Sequence, residues 1–257
     1  MLVNPGIRMK LAGCLLALAI SALIASAAQA DPRLDEKVYS PYVLNGVAEF
    51  EARTAGQLGG AAAGDMTTVL EGEYGLNDRL SLAIIGAVQH SRAEGSRLTS
   101  VGLEAVFYIG QVPKLGIDAG AYLEYKHGLK GEADVLEGKL LLAKTIDRFQ
   151  ALANLIVERP LGDKNEDFAS YGYAASVTWR TVGALRLGAE AFGNLGTDHD
   201  FPERHGAYVG PQMLWEGRPN GWPFEVDVDA GWLFPVGAER SETHSQFRIG
   251  IGLERRF

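Results

Sequence analysis

The chain has 257 residues and a formal net charge of −8, with 47% hydrophobic and 22% charged residues. This acidic balance argues against nucleic-acid binding, and the single cysteine, Cys14, excludes a disulfide scaffold. After residue 30 no segment reaches the roughly 18 uninterrupted apolar residues of a spanning helix, so a passage through a membrane would have to use β-strands.

Residues 1–30 have the composition of a secretory signal peptide. Arg8 and Lys10 precede the apolar run LAGCLLALAISALIASA, and the small residues AQA predict cleavage after Ala30. Cleavage removes Cys14 and takes the net charge from −8 to −10, because the segment carries two bases and no acid. The letters LAGC also match a lipoprotein box, but the apolar run follows the cysteine, which argues against acylation.

Twelve segments downstream of the linker DPRLDEKVYSP alternate apolar and polar residues, which is the pattern of β-strands with one apolar face. In the last one, Phe247, Ile249 and Ile251 alternate with Arg248 and Gly250. Segments of about ten residues have the length of tilted membrane-spanning strands. In chain order the predicted strands are YVLNGVAEFEAR, TTVLEGEY, RLSLAIIGAVQH, SVGLEAVFYIG, LGIDAGAYLEYKH, VLEGKLLLAK, FQALANLIVE, ASYGYAASVTWR, LRLGAEAFGNLG, AYVGPQMLWE, PFEVDVDAGWLF and SQFRIGIGLERRF.

The connections between these strands alternate in length. The even ones are mostly short turns, and an even strand number predicts both chain ends on the periplasmic side. Short periplasmic turns and long external loops are typical of outer-membrane barrels. The odd connections are longer and charged: AGQLGGAAAGD, HSRAEGSR, HGLKGEAD, LGDKNEDF, TDHDFPERH and GAERSETH.

Aromatic residues on the apolar faces fall near the strand ends, as the interfacial girdles of a membrane barrel require. A secreted β-sandwich or a lipocalin-like barrel, the alternative fold, would not need such girdles. The predicted periplasmic girdle consists of Tyr74, Phe107, Phe149, Trp179, Trp215, Phe224 and Phe257, and the external girdle of Tyr125, Tyr171, Tyr173, Trp232, Phe234 and Phe247.

The signal peptide, the alternating strands, the turn EYGLNDRLSL and the terminal Phe257 resemble the outer-membrane β-barrels of Gram-negative bacteria. Within these, the turn resembles transporter barrels associated with phenol-degradation pathways. The resemblance implies an all-β fold for residues 31–257, a single antiparallel barrel of about twelve strands in the outer membrane. It also implies contact with outer-membrane lipid and with the barrel-insertion machinery through the strand that ends in Phe257.

The polar faces of the strands predict the lining of the lumen, with carboxylates in clear excess over bases. Unmatched buried carboxylates have to be hydrated, protonated or matched by cations, so the lumen is either a hydrated pore or a plug of paired side chains. The predicted lumen-lining residues include Glu49, Glu51, Glu71, Glu73, Glu104, Glu124, Lys126, Glu137, Lys139, Glu158, Glu190, Glu225, Asp227, Asp229, Arg248 and Glu254.

These features predict a passive channel or facilitator for small solutes that prefers cations or neutral molecules. A closed structural barrel is one alternative. Another is a lipid- or peptide-hydrolysing enzyme at the external rim, where His90 and His127 lie near strand ends and Ser91 is adjacent to His90. Pro211 predicts a bulge or a lateral exit in the tenth strand.

The sequence contains no phosphate-binding glycine loop and no metal motif of fixed spacing, so we predict no cofactor. The histidines are weak candidates for a transition-metal site because they all fall at predicted external ends or loops. They are His90, His127, His199, His205 and His244.

Overall fold

Twelve antiparallel strands close into a barrel in the computed structural model of the chain. The structure describes residues 34–162, 168–201, 207–241 and 243–257, and the predicted signal peptide lies outside them. No helix in these ranges is long and apolar enough to cross a bilayer. The strands are β1 (Val47–Leu58), β2 (Met66–Gly75), β3 (Leu80–Ser91), β4 (Gly95–Val112), β5 (Ile117–Gly128), β6 (Asp134–Ile146), β7 (Phe149–Leu161), β8 (Ser170–Arg180), β9 (Leu185–Thr197), β10 (Ala207–Gly217), β11 (Glu225–Val236) and β12 (Ser245–Arg256), and a short 3₁₀ helix, Gly237–Ser241, precedes β12.

The barrel closes through β1, which pairs with both β2 and β12. Val47 lies opposite Arg256 and Leu58 lies opposite Ser245, so β1 and β12 pair along their whole length. The predicted all-β, twelve-stranded antiparallel barrel is therefore confirmed. We call the end of the barrel with the β2–β3 turn, residues 76–79, the turn end, and the opposite end the loop end.

Side chains alternate between an apolar outer face and a polar lumen. At mid-strand, Ile84 and Leu103 are 66% and 64% exposed on the outside, whereas Ile85 and Glu104 on the inside are buried. This alternation follows from the period of two in the sequence, since successive side chains of a strand point to opposite faces. An outer surface of exposed aliphatic side chains is what a bilayer requires.

Exposed aromatic side chains lie near both ends of this apolar surface. Tyr74, Phe107 and Trp179 are exposed toward the turn end, and Tyr125 and Trp232 toward the loop end. They occupy the strand ends at which the sequence predicted aromatic girdles.

Several predicted boundaries were wrong. The stretch AGQL belongs to β1 rather than to a loop, and HSRAEGSR shrinks to a turn of residues 92–94. The even connection between β10 and β11, residues 218–224, is longer than that turn. Loop length therefore separates the two ends less cleanly than predicted, because some glycine- and charge-rich stretches extend the strands beyond the apolar alternation.

Pro211 does not produce the predicted bulge. The β10–β11 register is the same on both sides of it, with Val209 opposite Phe234 and Gln212 opposite Gly231. Pro211 also pairs with Ala189 of β9. Its ring faces the outside of the barrel. The missing N–H removes one hydrogen bond from the ladder without shifting the register of the strands.

Residues 34–43, predicted as a linker and the start of the first strand, lie inside the barrel instead. We call them the lumen segment. Leu34, Tyr39 and Pro41 are buried. The chain then leaves the lumen across Gly75, where a Cβ would come within 2.0 Å of the Leu44 carbonyl oxygen.

Candidate functional site in the barrel lumen

The lumen segment is tied to β1 and β2 by ion pairs. The Lys37 ammonium contacts the carboxylates of Glu51 and Glu71, the latter at 3.1 Å. Glu71 also contacts the Arg53 guanidinium. Burial lowers the pKa of Lys37, but the two carboxylates more than offset this and raise it well above its usual value. Lys37 is therefore charged at neutral pH.

On the opposite side, two acids of the lumen segment contact bases of β5 and β6. Asp35 Oδ2 lies 3.0 Å from Lys126 Nζ, and Glu36 pairs with Lys139. Lys139 also lies 3.0 Å from Glu137 Oε1. The segment thus presents an Asp-Glu-Lys triplet whose charges all find partners on the wall.

Tyr39 packs between these charges. Its ring lies between the ammonium groups of Lys37 and Lys139, at 4.6 and 4.4 Å from the ring centroid. The ring also packs on Tyr122 at a centroid distance of 4.6 Å, and its hydroxyl donates to Glu104 Oε2 at 3.2 Å. Cation–π contacts of this kind strengthen when water is excluded.

A row of four glutamates crosses β4 to β7 at one level. Glu104 lies opposite Glu124, Glu124 opposite Glu137, and Glu137 opposite Glu158. Like charges directly opposite each other destabilise a sheet. Lys126 and Lys139 of the wall, which contact Glu124 and Glu137, offset part of this cost.

The other half of the lumen contains two cavities of about 140 Å³ each. The inner cavity lies between the lumen segment and the wall that includes β8 to β12 and β1. The mouth cavity adjoins it toward the turn end. Both are lined by Glu51, Leu214 and Asp229, so they follow one another along the same wall.

A layer of buried side chains closes this half toward the loop end. Phe192, Tyr208 and Leu233 belong to one apolar cluster, against which Val38 of the lumen segment packs. Arg248 covers the Phe192 ring, with its guanidinium carbon 4.0 Å from the centroid. Within the described residues, this layer separates the two cavities from the loop end.

The predicted lumen-lining residues divide between the two halves. Around the lumen segment lie Glu51, Glu71, Glu73, Glu104, Glu124, Lys126, Glu137, Lys139 and Glu158. On the wall of the cavities, or beside them toward the turn end, lie Glu49, Glu190, Glu225, Asp227, Asp229, Arg248 and Glu254.

The rim histidines in the described part of the chain do not converge. His90 contacts the Ser96 hydroxyl, His127 contacts Asp134, each at 2.9 Å, and His199 lies 3.9 Å from Asp198. His244 is exposed, and His205 lies outside the described residues. Within those residues, the groups of potential metal ligands consist of carboxylates alone: Glu49 with Asp227 and Glu254, and Glu71 with Glu73 and Glu104.

Sequence reasoning missed the lumen segment as part of the site. Its signal was the charged triplet of residues 35–37 flanked by Leu34 and Val38, an unusual pattern for a free linker. It also missed the closing layer, because Phe192 and Tyr208 lie on lumen-facing positions that were expected to be polar.

Comparisons with known proteins support the fold. No family model and no curated protein matches the chain. Among solved structures, the KdgM porin is similar at 11% identity with a TM-score of 0.52, covering 80% of this chain and 98% of that one. The structure of KdgM in complex with disordered oligogalacturonate is similar at 9% identity with a TM-score of 0.50, covering 82% of this chain and 99% of that one. An outer membrane channel from Pseudomonas putida F1 is similar at 13% identity with a TM-score of 0.54, covering 89% of this chain and 100% of that one.

At these identities the similarity shows the fold alone. The chain has the fold of a Gram-negative outer-membrane barrel, and its apolar outer face agrees with the predicted outer-membrane location. The narrower resemblance to phenol-degradation transporters stays a prediction.

Proposed function

We propose that the protein is a passive channel for small solutes that prefers cations or neutral molecules over anions. The observation that carries this proposal is the acidic mouth cavity on one wall of the lumen, through which a solute reaches the inner cavity. A narrow passage lined by carboxylates concentrates cations and repels anions. The similarity in fold to a porin and to an outer membrane channel supports the same class of function.

The route runs from the turn end through the mouth cavity into the inner cavity, and it stops at the layer of Phe192, Tyr208 and Leu233. Conduction therefore requires a movement. The closing layer belongs to strands that are hydrogen-bonded on both sides. The lumen segment is held mainly by side chains, whose polar contacts water can replace, so we assign the movement to the segment. Its displacement opens the half of the lumen beside the closing layer.

The solute differs in charge from the ligand in the KdgM complex. Oligogalacturonate is a polyanion. In this chain the described residues that line the mouth cavity include five acids and no base: Glu49, Glu51, Glu216, Asp227 and Asp229. Repulsion by these carboxylates disfavours a polyanion.

Planar-bilayer recordings and liposome swelling test the proposal on the wild type and on a variant that lacks residues 34–41. We expect cation-selective conductance that rises when these residues are deleted, because the deletion empties the half of the lumen that they fill. Absence of both conductance and solute uptake in the wild type and in the deletion variant would establish a closed structural barrel instead.

A further inference from the structure

The inner cavity has one apolar side and one charged side. Leu34 and Val38 of the lumen segment line it together with Leu152 and Leu214 of the wall. The carboxylates of Glu190 and Asp229 lie on the wall. Such a lining suits a small molecule with a hydrocarbon part and a polar or charged head.

Glu190 is the distinctive group of this cavity. Its residue is only 5% exposed, yet no described residue makes a hydrogen bond or an ion pair within 4.0 Å with its carboxylate. Leaving a buried carboxylate without a partner costs more than a typical hydrogen bond contributes. The cavity that Glu190 lines is the space from which a partner can reach it.

Two glycines leave room for the two carboxylates to lie against the wall. A Cβ at Gly231 would lie 2.1 Å from Glu190 Oε1, and a Cβ at Gly250 would lie 1.8 Å from Asp229 Oδ2. The Glu190 carboxylate therefore reaches past β10 to lie over β11, and the Asp229 carboxylate lies over the neighbouring β12. Asp229 and Gly231 are two residues apart on the same face of β11, a spacing of about 7 Å, which leaves both acids next to one small space.

The charges around this space favour a cation. Lys37 and Arg53 are already engaged by Glu51 and Glu71. Arg248, the other base in the lining, stacks on Phe192 and donates to Gln246. One guanidinium therefore faces two carboxylates, Glu190 and Asp229, and the adjoining mouth cavity adds further acids.

We infer that the inner cavity binds a small primary ammonium compound, with its ammonium between Glu190 and Asp229 and its hydrocarbon part against the four apolar side chains. The inference rests on the proposed function, since this cavity lies on the proposed solute route. An ammonium offers three donors to the carboxylate oxygens. A cavity of about 150 Å³ holds a benzene-sized molecule, so a ligand of about six heavy atoms fits the volume.

Isothermal titration calorimetry with the folded barrel in detergent tests the inference, using n-pentylammonium chloride as the probe. We expect one site per barrel, weaker binding of the isosteric 1-pentanol and no binding of pentanoate. Glu190→Gln should weaken pentylammonium binding by about tenfold or more, because it removes a charge-assisted hydrogen bond. Gly231→Ala should also weaken it, since the new methyl group displaces the Glu190 carboxylate.

Glu132→Gln is the matched control, because Glu132 pairs with Arg97 at the loop end, away from the cavity. The inference is overturned if Glu190→Gln binds pentylammonium as the wild type does, or if pentanol binds equally well. Binding without permeation in liposomes would support the site and overturn the channel. Cation permeation without binding would overturn the site and support the channel.

Discussion

Asn154 of β7 holds the backbone of Tyr39 at two points. Its Oδ1 accepts a hydrogen bond from the Tyr39 amide at 2.7 Å, and its Nδ2 donates to the Tyr39 carbonyl at 2.9 Å. The side chain thus satisfies both backbone groups of a residue inside the lumen, as a neighbouring strand would. Asn154 is fully buried, so water does not compete for these bonds in the closed state.

Asn154→Ala should loosen the lumen segment without unfolding the barrel. The change leaves the Tyr39 amide and carbonyl unpartnered, at a cost of about 1–3 kcal/mol per buried group, which favours conformations with the segment displaced. We expect more frequent channel openings and faster amide hydrogen exchange in residues 34–43. Thr178→Val is the control, because the buried Thr178 hydroxyl has no hydrogen-bond partner among the described residues. Unchanged amide hydrogen exchange in Asn154→Ala would contradict the role of these two hydrogen bonds in holding the segment.

Lys139→Met should destabilise the closed state more strongly than Asn154→Ala does. Lys139 is almost fully buried between Glu36 and Glu137, and its loss leaves both carboxylates without their shared cation. Removing one partner of a buried ion pair costs about 3–5 kcal/mol. Urea unfolding followed by tryptophan fluorescence would measure this cost. Lys144→Met is the control because Lys144 lies at the surface, and adding Glu36→Gln to Lys139→Met should recover part of the stability.

Acidification should release the lumen segment through Asp35. Burial raises the pKa of Asp35, but the Lys126 ammonium at 3.0 Å more than offsets this, so the pKa is lowered. A carboxyl whose pKa is lower in the folded state stabilises that state above its unfolded pKa of about 3.9. The contribution is lost as the pH falls through the lowered value.

Channel recordings as a function of pH measure this release. We expect the Asp35–Lys126 contribution to be constant from neutral pH down to about 5 and openings to increase below about 4. Asp35→Asn should already open more often at neutral pH and should show less further increase on acidification. Equal pH profiles for the variant and the wild type would assign the response to other carboxyl groups.

The barrel could be predicted because each strand is specified by an alternation of apolar and polar residues within its own short segment. In β3, for example, Leu82 and Ile84 alternate with Ser81 and Ala83, and such a pattern determines both the strand and its faces. The same rule predicts whether each carboxylate faces the lumen or the outside of the barrel. The errors lie where the alternation fades, as at the start of β1, where the chain has to leave the lumen before it joins the wall.

The contents of the lumen were not predictable in this way. Lys37 contacts Glu71, which is 34 positions away in the sequence, and Tyr39 contacts Asn154, which is 115 positions away. The alternation predicts which face a side chain lies on, but not how far it reaches across the barrel. Gly231 likewise looked like one more small residue on a polar face. Its importance depends on the Glu190 carboxylate, which comes from a strand that is not its neighbour.

Neutralising Asp227 and Asp229 together should lower the cation selectivity of the channel. Both acids line the mouth cavity, and Asp227 lies in a carboxylate cluster with Glu49 and Glu254. Removing two charges from a lining without a base weakens the local negative potential, so the cation-to-anion permeability ratio should fall toward one. The effect should be larger at 0.01 M than at 1 M salt, because screening lengths fall from about 30 to about 3 Å over this range.

Reversal potentials under a salt gradient measure this ratio for Asp227→Asn with Asp229→Asn. Glu225→Gln is the matched control, since Glu225 lies in the same strand but is half exposed and sits 3.7 Å from Arg218. We expect the control to change the ratio much less than the double variant, because solvent and Arg218 already screen its charge. If the double variant keeps the wild-type ratio, the mouth cavity does not set selectivity. Selectivity would then have to arise where Glu51, Glu190 and Arg248 meet in the inner cavity, and Glu190→Gln should change the permeability ratio instead.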